Sequence, residues 1–248
     1  MTATTTSRLG HLALVPGSGC DERLFAHQIR ELSPDATIHL VDNVSYSRIE
    51  ELAREELEKL PERFALAGLS MGGLVALEMI RQAPERISGL ALLDTLPEPG
   101  LASDRTNHRL AIATISLRLY GPIEKMMWPR YVAPGRLEDG ELRGLVKDMM
   151  IANGVRGLIN QQRIFITRPD YRPILRTIGV PALVLVGEED TLAPPRASVE
   201  AASEIPDAEL VVVPGSGHLS TLEAPEAVTT ALRSWLERVA SNNTADGE

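Results

Sequence analysis

The chain has 248 residues, of which 44% are hydrophobic and 24% charged, a composition typical of a globular protein that buries a sizeable core. Its formal net charge of −9 argues against nucleic acid as a partner, because binding to phosphates requires a basic face. A single cysteine, Cys20, excludes an intrachain disulfide, and no apolar run is long enough to cross a bilayer. We therefore expect a cytoplasmic protein without membrane or nucleic-acid partners, whereas its oligomeric state stays open.

Short apolar runs alternate with helical patterns as far as Leu93. The runs read LALV at 12–15, TIHLV at 37–41, FALAGL at 64–69 and ISGLALL at 87–93. The segments between them space their apolar residues as amphipathic helices do. Because the runs are apolar on both faces, they predict a mostly parallel sheet with helices on both sides, the α/β class.

The alternation stops near residue 100 and resumes near residue 171. The later part predicts strands at 181–187 and 209–213, and helices over 194–204 and roughly 224–240.

The residues between these two parts contain no convincing strand. Five of them follow a helical stripe: Leu142, Leu145, Val146, Met149 and Met150. We therefore predict a single α/β domain, with a core formed by residues 1–99 and 171–248 and a helical cap insertion at 100–170.

The string VPGSG occurs twice, at 15–19 and at 213–217, each time just after a predicted strand. The sequences that flank the two copies do not align, so the strings do not indicate a tandem repeat. Parallel α/β sheets bind their ligands beyond the carboxyl ends of the strands. Both strings are therefore predicted to be loops of the site, in which glycine allows the backbone to approach a ligand closely.

The run FALAGL leads directly into Gly68-Leu69-Ser70-Met71-Gly72 and then into a predicted helix. A serine on such a tight strand-to-helix turn exposes its hydroxyl, and small glycines on either side avoid collisions in the crowded backbone. The pentapeptide alone is a weak signal, but its place between a strand and a helix strengthens it. Ser70 is therefore a candidate nucleophile.

A serine hydroxyl needs a base to take its proton, and the base needs an acid to orient it. In chains with this turn, the acid and then the histidine follow the serine in sequence. Asp190 and His218 satisfy that order, and each follows a predicted strand. Asp94, after an earlier strand, is an alternative for the acid.

These motifs resemble the α/β-hydrolase fold family, in particular its compact capped esterases and lactonases. The matching segments are LVPGSG, GLSMGG, LVGEEDTLAPP and GSGHLSTLEAPE, within a resemblance that extends from about Leu9 to Val239. The resemblance implies Ser70 as nucleophile, His218 as general base and acid, and Asp190 as the acid that orients the histidine.

The resemblance also implies that the first VPGSG string is the oxyanion loop. The amide of Ser18 would act there with the amide of Met71, two fixed donors for a developing oxyanion. The family more often has His-Gly where this chain has Pro16-Gly17, which leaves Gly19 as an alternative donor.

Five residues of the insertion either line an acyl pocket above Ser70 or pack the cap onto the sheet: Met126, Met127, Trp128, Met149 and Met150. Cys20 is expected to be a small buried residue, because no histidine is suggested near it.

The sequence thus predicts a serine hydrolase that acts on a small carboxylic ester or lactone through an acyl-enzyme, with neither cofactor nor metal. The same triad would also serve C–C bond hydrolysis, perhydrolysis or hydroxynitrile cleavage. A ligand-sensing module is the alternative from another functional class.

Overall fold

A computed structural model of the protein describes residues 8–100 and 102–245. The predicted core and cap segments also include residues 1–7, 101 and 246–248, which lie outside the described residues. Six strands form one sheet in the spatial order β2-β1-β3-β4-β5-β6, and all neighbours pair in parallel. The strands are β1 (His11–Val15), β2 (Thr37–Leu40), β3 (Phe64–Leu69), β4 (Ile87–Leu93), β5 (Ala182–Gly187) and β6 (Ala208–Val213). The predicted parallel α/β sheet is therefore confirmed.

Helices follow the strands and also fill the segment between β4 and β5. They are α1 (Ala26–Leu32), α2 (Ile49–Lys59), α3 (Met71–Gln82), α4 (Ala102–Ser116), α5 (Tyr120–Tyr131), α6 (Gly140–Thr167), α7 (Arg172–Leu175), α8 (Pro195–Glu204), α9 (Ser220–Glu223) and α10 (Pro225–Ala245). Among the described residues, none of these helices combines the length and the apolar character that crossing a bilayer requires.

The core lies on both faces of the sheet, because successive side chains of a strand point to opposite faces. On β1, Leu12 and Leu14 pack into one cluster with residues of α1 and α10, whereas Ala13 and Val15 pack into another with residues of α2 and α3. Every residue of β3, β4 and β5 is buried. The central strands are apolar throughout because helices exclude water from both of their faces.

The two edge strands differ from this pattern. Leu40 of β2 is 47% exposed, and Leu210 and Val212 of β6 are also exposed. An edge strand has a neighbour on one side only, so its outer positions have less cover. The prediction that the strands are apolar and covered on both faces holds for β3, β4 and β5, whereas the edge strands carry polar residues such as His39 and Glu209.

Helices α4, α5 and α6 occupy the predicted cap, and α6 is not one continuous helix. Asp139 caps its start by accepting a hydrogen bond from the amide of Leu142, 2.9 Å away. At Gly154 the backbone leaves the helical region, with φ 68° and ψ 169°, and the axis kinks. The division of the chain at residues 99 and 171 stays a prediction.

Candidate active site

Three polar side chains meet beyond the carboxyl ends of β3, β5 and β6. His218 Nε2 lies 2.9 Å from Ser70 Oγ, and His218 Nδ1 lies 2.7 Å from Asp190 Oδ2. His218 and Asp190 are buried, whereas Ser70 is partly accessible. The sheet order explains the meeting, because parallel strands bring all of their carboxyl ends to one edge.

The turn that carries Ser70 is strained and closely packed. Ser70 has φ 56° and ψ −116°, a left-handed conformation that side chains rarely adopt. A Cβ at Gly72 would lie 2.0 Å from the carbonyl oxygen of Val15, so only glycine fits beside β1. Non-glycine residues in such conformations cluster at functional sites, and here the conformation presents the hydroxyl at the start of α3.

Asp190 and Asp94 are both buried near His218, but they have different partners. The Oδ1 atom of Asp190 accepts hydrogen bonds from the amides of Leu192 and Ala193, which leaves Oδ2 for the imidazole. Asp94 instead accepts from the Gly187 amide and, at 2.5 Å, from the Ser220 hydroxyl. The structure therefore pairs the histidine with Asp190.

The burial of these groups shifts their pKa values in different directions. Burial disfavours the charged imidazolium, but the carboxylates of Asp190 and Asp94 more than offset it and raise the pKa of His218 above 6.5. Burial, together with the charge of Asp190, raises the pKa of Asp94 to about 7, although the charge of His218 opposes the shift. Asp94 is therefore partly protonated near neutral pH.

The sequence expectation for Cys20 agrees with its surroundings. The thiol is buried among apolar side chains, and burial followed by the charge of Asp21 raises its pKa to about 12. A thiol of this kind is unreactive at neutral pH.

The first VPGSG string lies beside Ser70 and is held in place through Gly19. A Cβ at Gly17 would lie 3.6 Å from the Cβ of Ser70, which shows how closely the loop approaches. Gly19 adopts φ 73°, and its amide donates to Gln161 Oε1 at 2.8 Å. Among the described residues, the amides of Ser18 and Met71 have no acceptor. The amide of the alternative donor Gly19 is thus already engaged, whereas the amide of Ser18 is not.

The second VPGSG string adopts a different conformation. Its positive φ, 65°, is at Gly215, the third residue of the string, whereas the first string has it at the fifth. Ser216 is buried, and its carbonyl accepts from the amide of Glu189. Glu223 accepts a hydrogen bond from the Gly217 amide. The two strings are therefore separate loops with separate supports, as the sequence predicted.

The cap meets the histidine loop through residues that sequence reasoning missed. Glu223 accepts from the Ala133 amide at 2.7 Å as well as from Gly217. The carbonyl of Tyr131 accepts from the amide of Leu219, and the Tyr131 ring stacks on His218 at a centroid distance of 6.4 Å. No spacing signal marks Ala133 or Tyr131, because their contacts join segments far apart in the chain.

The five candidate pocket residues lie in different surroundings. Met126 is 61% exposed, and Met127 is partly buried. Trp128 is buried, with its indole N–H bonded to the Leu137 carbonyl, and Met149 is fully buried in the cluster with α1 and α10. Met150 lies near Gly19, with its Cγ 4.0 Å from a Cβ placed there. The structure thus brings Met150 to the first loop and buries Trp128 and Met149 within the core.

Metal ligands do not cluster in the part of the chain described here. Within residues 8–100 and 102–245, no group of three or more His, Cys, Asp or Glu side chains is placed to hold an ion. The chemistry available at this edge is that of a hydroxyl, an imidazole, carboxyls and backbone amides.

A family model described as "Alpha/beta hydrolase family" matches residues 12–231. The match begins one residue inside β1 and includes the other five strands, both VPGSG strings and helices α4, α5 and α6. The chain belongs to the alpha/beta hydrolase family.

This alpha/beta hydrolase resembles proteins of known class over nearly its whole length. It is 26% identical to the pimeloyl-[acyl-carrier protein] methyl ester esterase of Edwardsiella ictaluri, over 89% of this chain and 91% of that protein. A thermophilic esterase from Thermogutta terrifontis superposes with a TM-score of 0.85 at 29% identity, over 93% of this chain and 90% of that one. An enol-lactonase from Burkholderia xenovorans shares the fold, with a TM-score of 0.81 at 22% identity over 92% and 91%.

Proposed function

We propose that this alpha/beta hydrolase cleaves a small carboxylic ester or lactone through an acyl-enzyme intermediate. The observation that carries the proposal is the chain of contacts from Ser70 Oγ to His218 Nε2, 2.9 Å, and from His218 Nδ1 to Asp190 Oδ2, 2.7 Å. A hydroxyl, a base within reach of it and an acid that orients the base form a nucleophilic triad.

In this mechanism, His218 Nε2 takes the proton of Ser70 as Oγ attacks the ester carbonyl. Asp190 holds Nδ1 protonated and stabilises the imidazolium that forms. The tetrahedral intermediate collapses when His218 gives its proton to the leaving alkoxide, which departs as the alcohol. Water then repeats the sequence on the acyl-enzyme, and His218 returns the proton to Ser70 Oγ as the acid is released.

The oxyanion of each tetrahedral intermediate is held by the amides of Ser18 and Met71. Met71 begins α3, and the first amides of a helix have no acceptor within the helix. Gly19 is the weaker candidate because its amide already donates to Gln161. Donors that are fixed before the reaction stabilise the developing charge more than mobile ones.

The ester or lactone class is supported by the relatives, which include an esterase at 29% identity and a methyl ester esterase at 26% identity. Of the five predicted pocket residues, we retain Met150, which is partly buried beside the first loop, as the best placed. The cytoplasmic location and the absence of a nucleic-acid partner stay predictions.

The proposal is tested with p-nitrophenyl esters of graded chain length and a set of lactones. The wild-type enzyme is expected to turn over several of them repeatedly, and Ser70→Ala is expected to lower kcat by at least about 10³-fold. Undiminished turnover by Ser70→Ala would refute the assignment of the nucleophile. A single slow turnover by the wild type would instead favour a ligand-sensing module.

A further inference from the structure

Three side-chain amides hold the first VPGSG loop from outside: Asn43, Asn153 and Gln161, here called the amide cluster. Asn43 follows β2, whereas Asn153 and Gln161 lie on either side of the kink in α6. The loop is thus fixed partly by the cap, although it begins in the core of the sheet.

Gln161 makes the cluster's contact with the polar atoms of the loop. Its side chain is fully buried, and its Oε1 atom accepts from the Ser18 hydroxyl at 3.1 Å and from the Gly19 amide at 2.8 Å. The Ser18 hydroxyl and the Gly19 amide are therefore bonded to one oxygen. The amide of Ser18 itself is left free.

The rest of the cluster fixes which way the Gln161 amide faces. Its Nε2 atom donates to Asn153 Oδ1 at 2.7 Å and to the Asn43 carbonyl at 3.4 Å. Asn153 in turn donates to the carbonyl of Cys20, the residue just after the loop. A rotation of the Gln161 amide would set its nitrogen against the Gly19 amide and its oxygen against Asn153 Oδ1 and the Asn43 carbonyl, so its oxygen is held toward the loop.

The loop needs this support because residues 16–20 belong to neither a helix nor a strand. Within it, the amide of Cys20 donates to the carbonyl of Gly17. Asn43 holds the other side, where its Nδ2 atom donates to the carbonyls of Pro16 and Gly17 at 3.0 and 2.9 Å. Side chains from two segments, the residues after β2 and helix α6, thus hold the loop on both sides of Ser18.

We propose that Gln161 is a positioning residue, a cap side chain that fixes the direction of the Ser18 amide at the oxyanion. The proposal rests on the proposed function, since it takes the first loop as the oxyanion loop. Gln161 reaches the reacting atoms only through this loop. An oxyanion exists in the tetrahedral intermediate and not in the bound ester, so loss of the support lowers kcat and leaves KM nearly unchanged.

The test compares Gln161→Met with Gln162→Met. Methionine keeps most of the side-chain volume but lacks a strong acceptor. Gln162 is the next residue of the same helix, and its Oε1 atom lies 2.8 Å from His108 Nδ1, away from the loop. We expect Gln161→Met to lower kcat about 10- to 100-fold with KM changed less than about 2-fold, and Gln162→Met to match the wild type.

A trifluoromethyl ketone supplies a readout that general loosening of the fold would not reproduce. Ser70 Oγ adds to its carbonyl carbon, the serine proton passes to His218, and the former carbonyl oxygen becomes an anion at the two amides. The affinity for this ketone is expected to fall in Gln161→Met by the same factor as kcat/KM. The affinity for the corresponding trifluoromethyl alcohol, in which the carbonyl is reduced so that no anion can form, is expected to stay constant.

Asn153→Ala keeps the test decisive if Gln161→Met does not fold. It removes the partner that orients the Gln161 amide, and we expect a smaller fall in kcat at constant KM. Equal kcat for Gln161→Met and Gln162→Met, or an unchanged kcat for Asn153→Ala when the first variant is unfolded, overturns the inference. A wild-type enzyme that turns over no ester and binds no ketone contradicts the proposed function instead.

Discussion

At the scale of single residues, the two buried carboxyls near His218 are the most informative comparison. Asp190 bonds to the imidazole, whereas Asp94 bonds to the Gly187 amide and the Ser220 hydroxyl. The sequence placed both after parallel strands and favoured Asp190 as the acid, with Asp94 as the alternative. Strand order alone could not decide it, because the choice depends on side-chain directions within two loops.

Replacement by asparagine separates the two carboxyls. Asp190→Asn is expected to lower kcat by about 10³- to 10⁴-fold, because an amide does not hold the imidazole in the tautomer that accepts the serine proton. Asp94→Asn is expected to cost less than about 10-fold, since Asp94 is partly protonated near pH 7 and the amide keeps its shape. Steady-state kinetics on one ester measures both, and a larger loss in Asp94→Asn would reverse the assignment of the acid.

The proposed role of His218 as general base predicts the pH dependence of the wild-type enzyme. The imidazole must be neutral to accept a proton, and Asp190 and Asp94 raise its pKa above 6.5. We therefore expect kcat/KM to rise with pH and to level off only above an inflection that lies higher than 6.5. Asp94→Asn removes one carboxylate and is expected to move the inflection to lower pH. A profile that is flat between pH 6 and 8, or that falls there, is inconsistent with this role of His218.

At the scale of elements, the turn between β3 and α3 was fully predictable. The backbone of this turn is so crowded that it accepts only glycine at fixed positions, and the pentapeptide shows those glycines directly. The course of helix α6 and its contacts were not predictable in the same way. The stripe from Leu142 to Met150 predicted a helix, but neither the kink at Gly154 nor the contacts of Gln161 leave a periodic signal.

The turn predicts a large difference between two glycine substitutions. Gly72→Ala would place a Cβ 2.0 Å from the Val15 carbonyl oxygen, so the free energy of unfolding should fall by more than about 3 kcal/mol. Gly144→Ala is the control: it lies within α6, a Cβ there meets nothing within 4 Å, and stability should change by less than about 1 kcal/mol. Urea denaturation of both variants measures the difference. Equal stabilities would show that the turn is not as crowded as described.

At the scale of the whole molecule, the order of apolar runs was sufficient to predict the parallel sheet. A strand that helices cover on both faces is apolar along its whole length. The apolar runs therefore gave the bounds of β3, β4 and β5 nearly to the residue. Substrate identity was not accessible, because it depends on how α4, α5 and α6 pack. Helix periodicity shows which face is buried and not what that face lies against.

The central claim is that one serine, activated by the meeting of three strand ends, is the nucleophile. Labelling of the native protein with a fluorophosphonate, followed by peptide mass spectrometry, tests it most directly. We expect one adduct per chain, on Ser70, with ester turnover lost in proportion to labelling and no adduct in Ser70→Ala. An unlabelled native protein that still turns over esters, or an adduct on another residue that accounts for the lost turnover, would contradict it.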